Sequence, residues 1–490
     1  MKAIIVGAGF GGLSLAALLA KNGFNVTVIE KNEQPGGRAG VYNDKDFYFD
    51  MGPSWYLMPD VYEKFFAEFG KKPEDFFKLE RLDPSYRIFF GNKKSVDVAA
   101  DIEKNYILFD SLEKNGAKKL EEYLKSSEEI YDFSLNEMLY KDYTSILNFF
   151  NGKLLLKGYK LNILENLQHY VNKKFESDEA RKILEYAIGF LGGAPANTPS
   201  FYHLMSHVDL TMGVFYPQGG MRKVVDSIYK LAQSYGVKFQ FNEPVEMLDI
   251  HDHNVKRIIT SKAIYDADLV IVNADYAHSE LNFLTKDNRT YDAKYWGSRV
   301  MAPSAMVVYL GVDYTINKLV HHNLFLDDDW EHGFDTIFDS KKAAWPENPS
   351  YYVNVPSRTD LSAAPQGSDT LFILIPLAPG LEDNSKLREK FYNKIMDDLE
   401  SKIDENIRDH IVVKRIFALN DFKDRYNAYK GTALGLSHTL RQSALWRPAH
   451  KSKKVKNLYY SGHYTHPGIG VPMTLISSQI VADELSSKFL

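Results

Sequence analysis

The feature that most constrains this chain lies at its start. Ala3-Ile4-Ile5-Val6 is a continuous apolar run leading into Gly7-Ala8-Gly9-Phe10-Gly11-Gly12. A short unbroken apolar run suits a strand buried on both faces of a parallel sheet. Residues 12–22 follow with a helical Leu/Ala pattern stopped at Asn22-Gly23, and Asn25 to Glu30 reads as a second strand. Together they form a βαβ unit of about 30 residues. In the G-x-G-x-x-G turn, Gly7 allows the tight bend, Gly9 lets backbone N–H groups approach a pyrophosphate, and Gly12 lets the helix lie close to the strand. Ala8, Phe10 and Gly11 complete the phosphate-facing turn, and the helix N-terminus adds free donors and a positive dipole end. Glu30, 18 positions after Gly12, places a carboxylate where ribose hydroxyls can donate to it.

Three further segments extend this reading. Glu30-Lys31 runs into Gly36-Gly37-Arg38, a turn whose small residues admit a cofactor and whose guanidinium suits a pyrophosphate. Directly after a dinucleotide fingerprint, such a turn points to FAD rather than NAD. Asp50-Met51-Gly52-Pro53-Ser54 reads equally as a plain type II turn or as a loop with little side-chain bulk that would lie near a flavin ring. Ser461-Gly462-His463-Tyr464-Thr465-His466-Pro467-Gly468-Ile469-Gly470-Val471-Pro472 leads from a strand through glycines to a helix beginning near Met473. Backbone N–H groups at that helix end would stabilise the negative charge that a flavin's N1–C2=O edge gains on reduction. Two cofactor-facing chain ends imply one domain built from both termini.

Between them, residues 100–190 are rich in Lys, Leu, Glu, Asn and Tyr and helical in period, the mark of an inserted helical region. Strands are expected within 237–241, 263–274, 300–312, 370–377 and 458–460, and helices over 226–235 and 384–403. The length of 490 residues is too great for one core. A net charge of −5 offers no basic field for nucleic acid. The absence of cysteine excludes disulfides and thiolate chemistry, and the 14 histidines show no metal-binding spacing, so no metal is expected. The 31 tyrosines and 30 phenylalanines are the compositional excess.

The chain resembles the bacterial- and archaeal-type phytoene desaturases, FAD-dependent carotenoid desaturases of the amine-oxidase-like flavoprotein superfamily. The resemblance rests on the four segments above, on Tyr216-Pro217-Gln218-Gly219-Gly220-Met221 and on Gly431-Thr432-Ala433-Leu434-Gly435-Leu436. It implies an α/β fold: a glutathione-reductase-like FAD-binding Rossmann domain, a mixed-sheet substrate domain and a helical membrane-contacting insertion. The expected parts are 1–95 plus 200–290 plus 440–490 for FAD, 96–199 for the insertion, and 291–439 for substrate. It also implies that Val245 packs beside the adenine through its backbone. The cofactor-binding set is then Gly7, Ala8, Gly9, Phe10, Gly11, Gly12, Glu30, Lys31, Gly37, Arg38, Gly52, Pro53, Ser54, Val245, Gly462, Gly470, Val471 and Pro472.

The implied reaction removes a hydride and a proton from adjacent carbons of a long apolar polyene such as phytoene, towards lycopene, with oxygen or a quinone as electron acceptor. The ring excess fits a tunnel for such a substrate, although any single ring is more readily ordinary core. No acid–base pair is evident. His463 and His466 sit in the C-terminal loop and are weak catalytic candidates; many desaturases carry a smaller residue where His463 stands. Alternatives are a C30 precursor, a hydroxylated or terminal-methyl substrate, a terminal 3,4-desaturation, a small-molecule flavin oxidase, or a non-catalytic isoprenoid-binding escort protein. A substrate dissolved in lipid implies a cytoplasmic enzyme peripheral to the cytoplasmic membrane. Lys153-Leu154-Leu155-Leu156-Lys157-Gly158-Tyr159-Lys160-Leu161 has the composition of an interfacial segment, and equally of an amphipathic core helix with a solvated face. The basic run from Arg447 to Lys456 reads as a surface loop.

Overall fold

The computed structural model describes residues 1–91, 94–141, 165–326, 329–339 and 341–489. The apolar runs at 3–6 and 269–272 become the middle of a five-stranded sheet. Its order is Leu458–Tyr460, Leu269–Val272, Lys2–Val6, Asn25–Ile29 and Lys238–Gln240, and every pairing is parallel. Both faces of the central strands are covered, which is why they need no polar alternation. The two chain ends are joined in this sheet. The C-terminal helix Val471–Phe489 lies against the first helix, Phe10–Lys21, and Asn22 donates to Ser486 Oγ at 2.8 Å across them. A three-stranded antiparallel sheet, Val245–His251, Asn254–Thr260 and Ile264–Asp266, is attached to this unit.

A second, seven-stranded mixed sheet runs Ile411–Phe417, Ser304–Val312, Asp369–Leu377, Tyr351–Asn354, His322–Leu326, Tyr86–Phe90 and Lys94–Val98. All its pairings are antiparallel except that of His322–Leu326 with Tyr86–Phe90. Tyr86–Phe90 and Lys94–Val98 therefore belong with the mixed sheet, so a first cofactor segment extending to residue 95 runs too far. The hairpin is too short to announce its partner, which lies more than 200 residues away in sequence.

The region after residue 100 is helical among the described residues. Ile102–Leu112, Gly116–Ser134, Leu167–Asn172 and Asp178–Glu185 cover one edge of the mixed sheet, burying Phe109, Leu120, Tyr123 and Phe175 in its core. The segment Lys153–Leu161 lies outside the described residues. Among those described, no helix is long and apolar enough to cross a membrane.

Candidate functional site

A cavity of about 980 Å³ runs between the two sheets. Gly7, Gly9, Phe10, Gly11, Glu30, Lys31, Gly37 and Arg38 border one side, with Gly52 to Ser54, Val245, Gly462, His463, His466 and Gly470 to Pro472. Two residues of the expected set, Ala8 and Gly12, stand behind this wall. The Ala8 N–H donates to Glu30 Oε2 at 2.8 Å. A Cβ on Gly12 would sit 2.1 Å from the Gly7 carbonyl oxygen, so Gly12 serves the close helix–strand contact rather than the cavity. Gly462 and Gly11 both face Asn273, whose Nδ2 donates to the Ser461 carbonyl at 2.8 Å. The N-terminal and C-terminal glycine motifs thus meet across one asparagine that the sequence does not single out.

The glycine-lined end is built for an anion. Arg38 has two buried guanidinium nitrogens, Nε and Nη2, with no hydrogen-bond partner, and its Cζ lies 5.5 Å from the Tyr426 ring centre. The Asp275 carboxylate is within electrostatic reach of Arg38, but those two nitrogens have no acceptor, and a pyrophosphate at this end would satisfy them. The glycine turn beside it leaves no room for side chains, with a Cβ on Gly37 only 3.2 Å from Gly9 Cα. Both observations fit a dinucleotide lying along the turn. The Glu30 carboxylate is buried and held by Ala8, by the Asn32 N–H at 2.9 Å and by Asn32 Nδ2 at 3.0 Å; burial raises its pKa against these donors. Each oxygen retains acceptor capacity towards the cavity.

Lys31 borders the cavity, but its ammonium is engaged by the Asp424 carbonyl at 2.7 Å and Asn427 Oδ1 at 2.9 Å. Those partners follow or end the helix Leu419–Tyr426, which closes over the strand end and brings Arg425, Tyr426 and Asn427 to the cavity. This segment carries no recognisable motif, and the sequence reading missed it. Asp275, also missed, borders the cavity and accepts from Tyr464 Oη at 2.6 Å.

The remaining quoted motifs support the wall. Asp50 accepts from the N–H groups of Met221 at 2.7 Å and Arg222 at 3.1 Å, capping the helix Met221–Ser234. Gly220 (φ +81°) admits that carboxylate, since a Cβ there would lie 2.4 Å from it. Gly435 (φ +86°) lies flat under the His463 ring for the same reason. Arg447, expected on a surface loop, is buried. Its guanidinium donates to the carbonyls of Leu436, Gln442, His463, Tyr464 and Thr465 at 2.6–3.2 Å, tying the C-terminal loop to residues 436–442.

Neither loop histidine is set up as a strong base. Burial and the Arg38 and Arg447 cations hold His463 well below the usual imidazole range. Burial brings His466 down to about 3, and its Nε2 donates to the Leu139 carbonyl at 3.1 Å. Both rings are neutral near pH 7.

The opposite side is apolar. One face of the mixed sheet presents Ala305, Val307, Tyr352, Phe372, Leu374 and Pro376, and the helical region adds Phe133, Leu139, Phe201, Leu204 and Met205. Rings are present here, but most of the Tyr/Phe excess packs elsewhere, as in the stack of Tyr276 on Tyr460 at 3.7 Å.

The family of flavin containing amine oxidoreductases matches residues 10–486. A carotenoid 3,4-desaturase of Haloarcula japonica is 44% identical over 482 residues, covering 98% of this chain and 97% of that protein. A zeta-carotene-forming phytoene desaturase of Myxococcus xanthus is 30% identical, covering 99% and 93%. The crystal structure of an oxidoreductase from Methanosarcina mazei shares the fold with a TM-score of 0.66 at 18% identity, covering 99% of this chain and 100% of that one. The chain belongs to the flavin containing amine oxidoreductases and, within them, to the phytoene desaturase-type carotenoid desaturases, oxidoreductases of CH–CH groups whose cofactor is FAD.

Proposed function

We propose that this protein introduces double bonds into a long, apolar carotenoid such as phytoene, towards lycopene. The carrying observation is one cavity with two chemistries: a glycine-lined end where two buried Arg38 nitrogens have no partner, continuous with an apolar end floored by the mixed sheet. An apolar polyene has no polar handle, so its affinity comes from buried area, at about 25 cal/mol per Å².

FAD, when bound, supplies the hydride acceptor. The protein's part is to hold and shield the reactants. In this reading the turn from Gly7 to Gly12 and Arg38 take the pyrophosphate, and Glu30 takes the ribose hydroxyls. Gly37 and Lys31 border the nucleotide, and Val245 packs beside the adenine. Gly52, Pro53 and Ser54 flank the ring, with Gly462, Gly470, Val471 and Pro472 at its N1–C2=O edge, where the helix Val471–Phe489 begins. His463 stays neutral beside them and shapes the wall. Oxygen or a quinone is the electron acceptor. The enzyme works at the cytoplasmic face of the membrane, where its substrate dissolves.

The 44% identity to a carotenoid 3,4-desaturase, against 30% to the phytoene desaturase, favours a second reading within the class: desaturation near the end of an already coloured carotenoid. Expression in cells supplying phytoene or lycopene, followed by pigment chromatography, decides between them. Loss of phytoene supports the first reading, and conversion of lycopene alone supports the second. Both pigments emerging unchanged would overturn the function. Flotation with anionic liposomes tests the membrane association.

A further inference from the structure

A hydrogen-bonded chain starts where the two sides of the cavity meet. Ser54 and Tyr352 both border that space, and their hydroxyls lie 2.8 Å apart. Tyr352 Oη in turn lies 2.6 Å from Nδ1 of His322, a side chain with no exposed surface. Tyr352 is the one hydroxyl among the named floor residues of the sheet.

The direction of the chain follows from its neighbours. Asn354 Nδ2 donates to the His321 carbonyl at 3.0 Å, which fixes the nitrogen of that amide, and it also faces His322 Nδ1 at 3.3 Å. An amide nitrogen only donates, so this contact favours the tautomer in which His322 Nδ1 accepts and the ring proton sits on Nε2, a buried nitrogen with no partner of its own. The Tyr352 hydroxyl then donates to Nδ1, and the Ser54 hydroxyl donates to Tyr352. Ser54 Oγ is left with its lone pairs towards the cavity. The chain is oriented to take a proton inward.

Building on the desaturase reading, we propose that Ser54 accepts the proton the substrate loses and that Tyr352 and His322 carry it from the cavity. One substrate C–H bond gives up a hydride. The neighbouring C–H bond breaks, and its electron pair becomes the new C=C bond. The released proton goes to Ser54 Oγ, the Ser54 proton to Tyr352 Oη, and the Tyr352 proton to His322 Nδ1. Both hydroxyls are restored, and the charge rests on an imidazolium. The proton is given up when the acceptor, oxygen or a quinone, takes one hydride equivalent and one proton. Burial and His321 keep His322 weakly basic, which suffices because a proton beside a carbocation-like centre is strongly acidic. The Trp55 indole stacks on the His322 ring at 4.1 Å and 7°, a π-face against which the imidazolium is stabilised.

Tyr352→Phe deletes the middle hydroxyl, Ser54→Ala the first, and Ser54→Thr keeps it. In Tyr352→Phe and Ser54→Ala, product formation at saturating carotenoid falls about 100-fold. FAD content stays unchanged in Tyr352→Phe, which leaves the cofactor-facing residues in place, and Ser54→Thr restores most of the rate. Independently of turnover, ¹⁵N NMR of histidine-labelled holoenzyme, with His322 assigned through His322→Gln, shows the Nε2–H tautomer. Its Nδ1 resonance moves in Tyr352→Phe. Full activity in both deletions overturns the proposal, and so does an Nδ1–H tautomer, which would point the chain into the cavity. Should the wild-type protein convert no carotenoid, the desaturase reading fails, and the tautomer alone decides the direction of the chain.

Discussion

Arg38 is the residue on which the proposed pyrophosphate site can be tested most directly. Its buried Nε and Nη2 have no partner, so the guanidinium is costly until an anion arrives. Arg38→Met should raise the FAD dissociation constant about 10- to 100-fold, the effect of losing hydrogen bonds to a charged group. The flavin-free protein should melt no lower than wild type, because two buried nitrogens without acceptors have been removed. Flavin fluorescence titration and thermal melting measure the two effects. Asp209 makes a different case. Its Oδ2 accepts from Tyr86 at 2.7 Å and Tyr186 at 2.8 Å, its Oδ1 has no partner, and burial pushes its pKa up to about 7. The folded carboxyl is therefore protonated at a pH where the unfolded one has ionised. Its contribution to stability is fully present below about pH 3.8, is lost as pH rises through 7, and amounts to about 4 kcal/mol. Asp209→Asn keeps an acceptor for both tyrosines and cannot ionise. Relative to wild type, its melting temperature should be higher at pH 8 than at pH 5. An offset independent of pH would refute this assignment.

At the scale of elements, the first helix depends on one missing methyl group. Replacing glycine by alanine inside a helix ordinarily stabilises by about 0.5–1 kcal/mol. At Gly12 the added Cβ would meet the Gly7 carbonyl at 2.1 Å, whereas at Gly297, at the end of Ala293–Gly297, it meets nothing within 4 Å. Gly12→Ala should lose soluble, flavin-bearing protein, and Gly297→Ala should melt at or above wild type. The contrast marks what a sequence discloses. Gly12 could be read because the turn, the helix and Glu30 are contiguous, and backbone geometry dictates residue type there. The runs at 3–6 and 269–272 could be read because strands covered on both faces are apolar throughout. Tyr86–Phe90 and Lys94–Val98 could not be assigned to their sheet, since pairing with a strand more than 200 residues away leaves no local mark. Helix Leu419–Tyr426 reaches the site through backbone carbonyls and ordinary side chains. Arg447 looked like surface charge because a cation solvated by five carbonyls leaves no acidic partner in the sequence.

For the molecule as a whole, function depends on two sheets that face each other across one space. The parallel sheet, closed by both chain ends, carries the glycine-lined end, and the mixed sheet carries the apolar floor. This division should be separable by experiment. Leu374 lies on the floor, in the strand Asp369–Leu377 and paired with Tyr352, far along the chain from every glycine motif. Leu374→Trp keeps an apolar residue that strands accommodate well, and it pushes a larger ring into the space left for the polyene. The variant should therefore purify with FAD in the same ratio to protein as wild type, because the glycine turn, Arg38 and the C-terminal loop are untouched. Its conversion of carotenoid should drop at least about tenfold, as expected when well over 1 kcal/mol of apolar contact is replaced by a clash. Flavin absorbance per chain and pigment chromatography read the two outcomes on one preparation. Loss of flavin together with activity would mean that the cavity does not divide in this way, and that cofactor and polyene depend on the same wall.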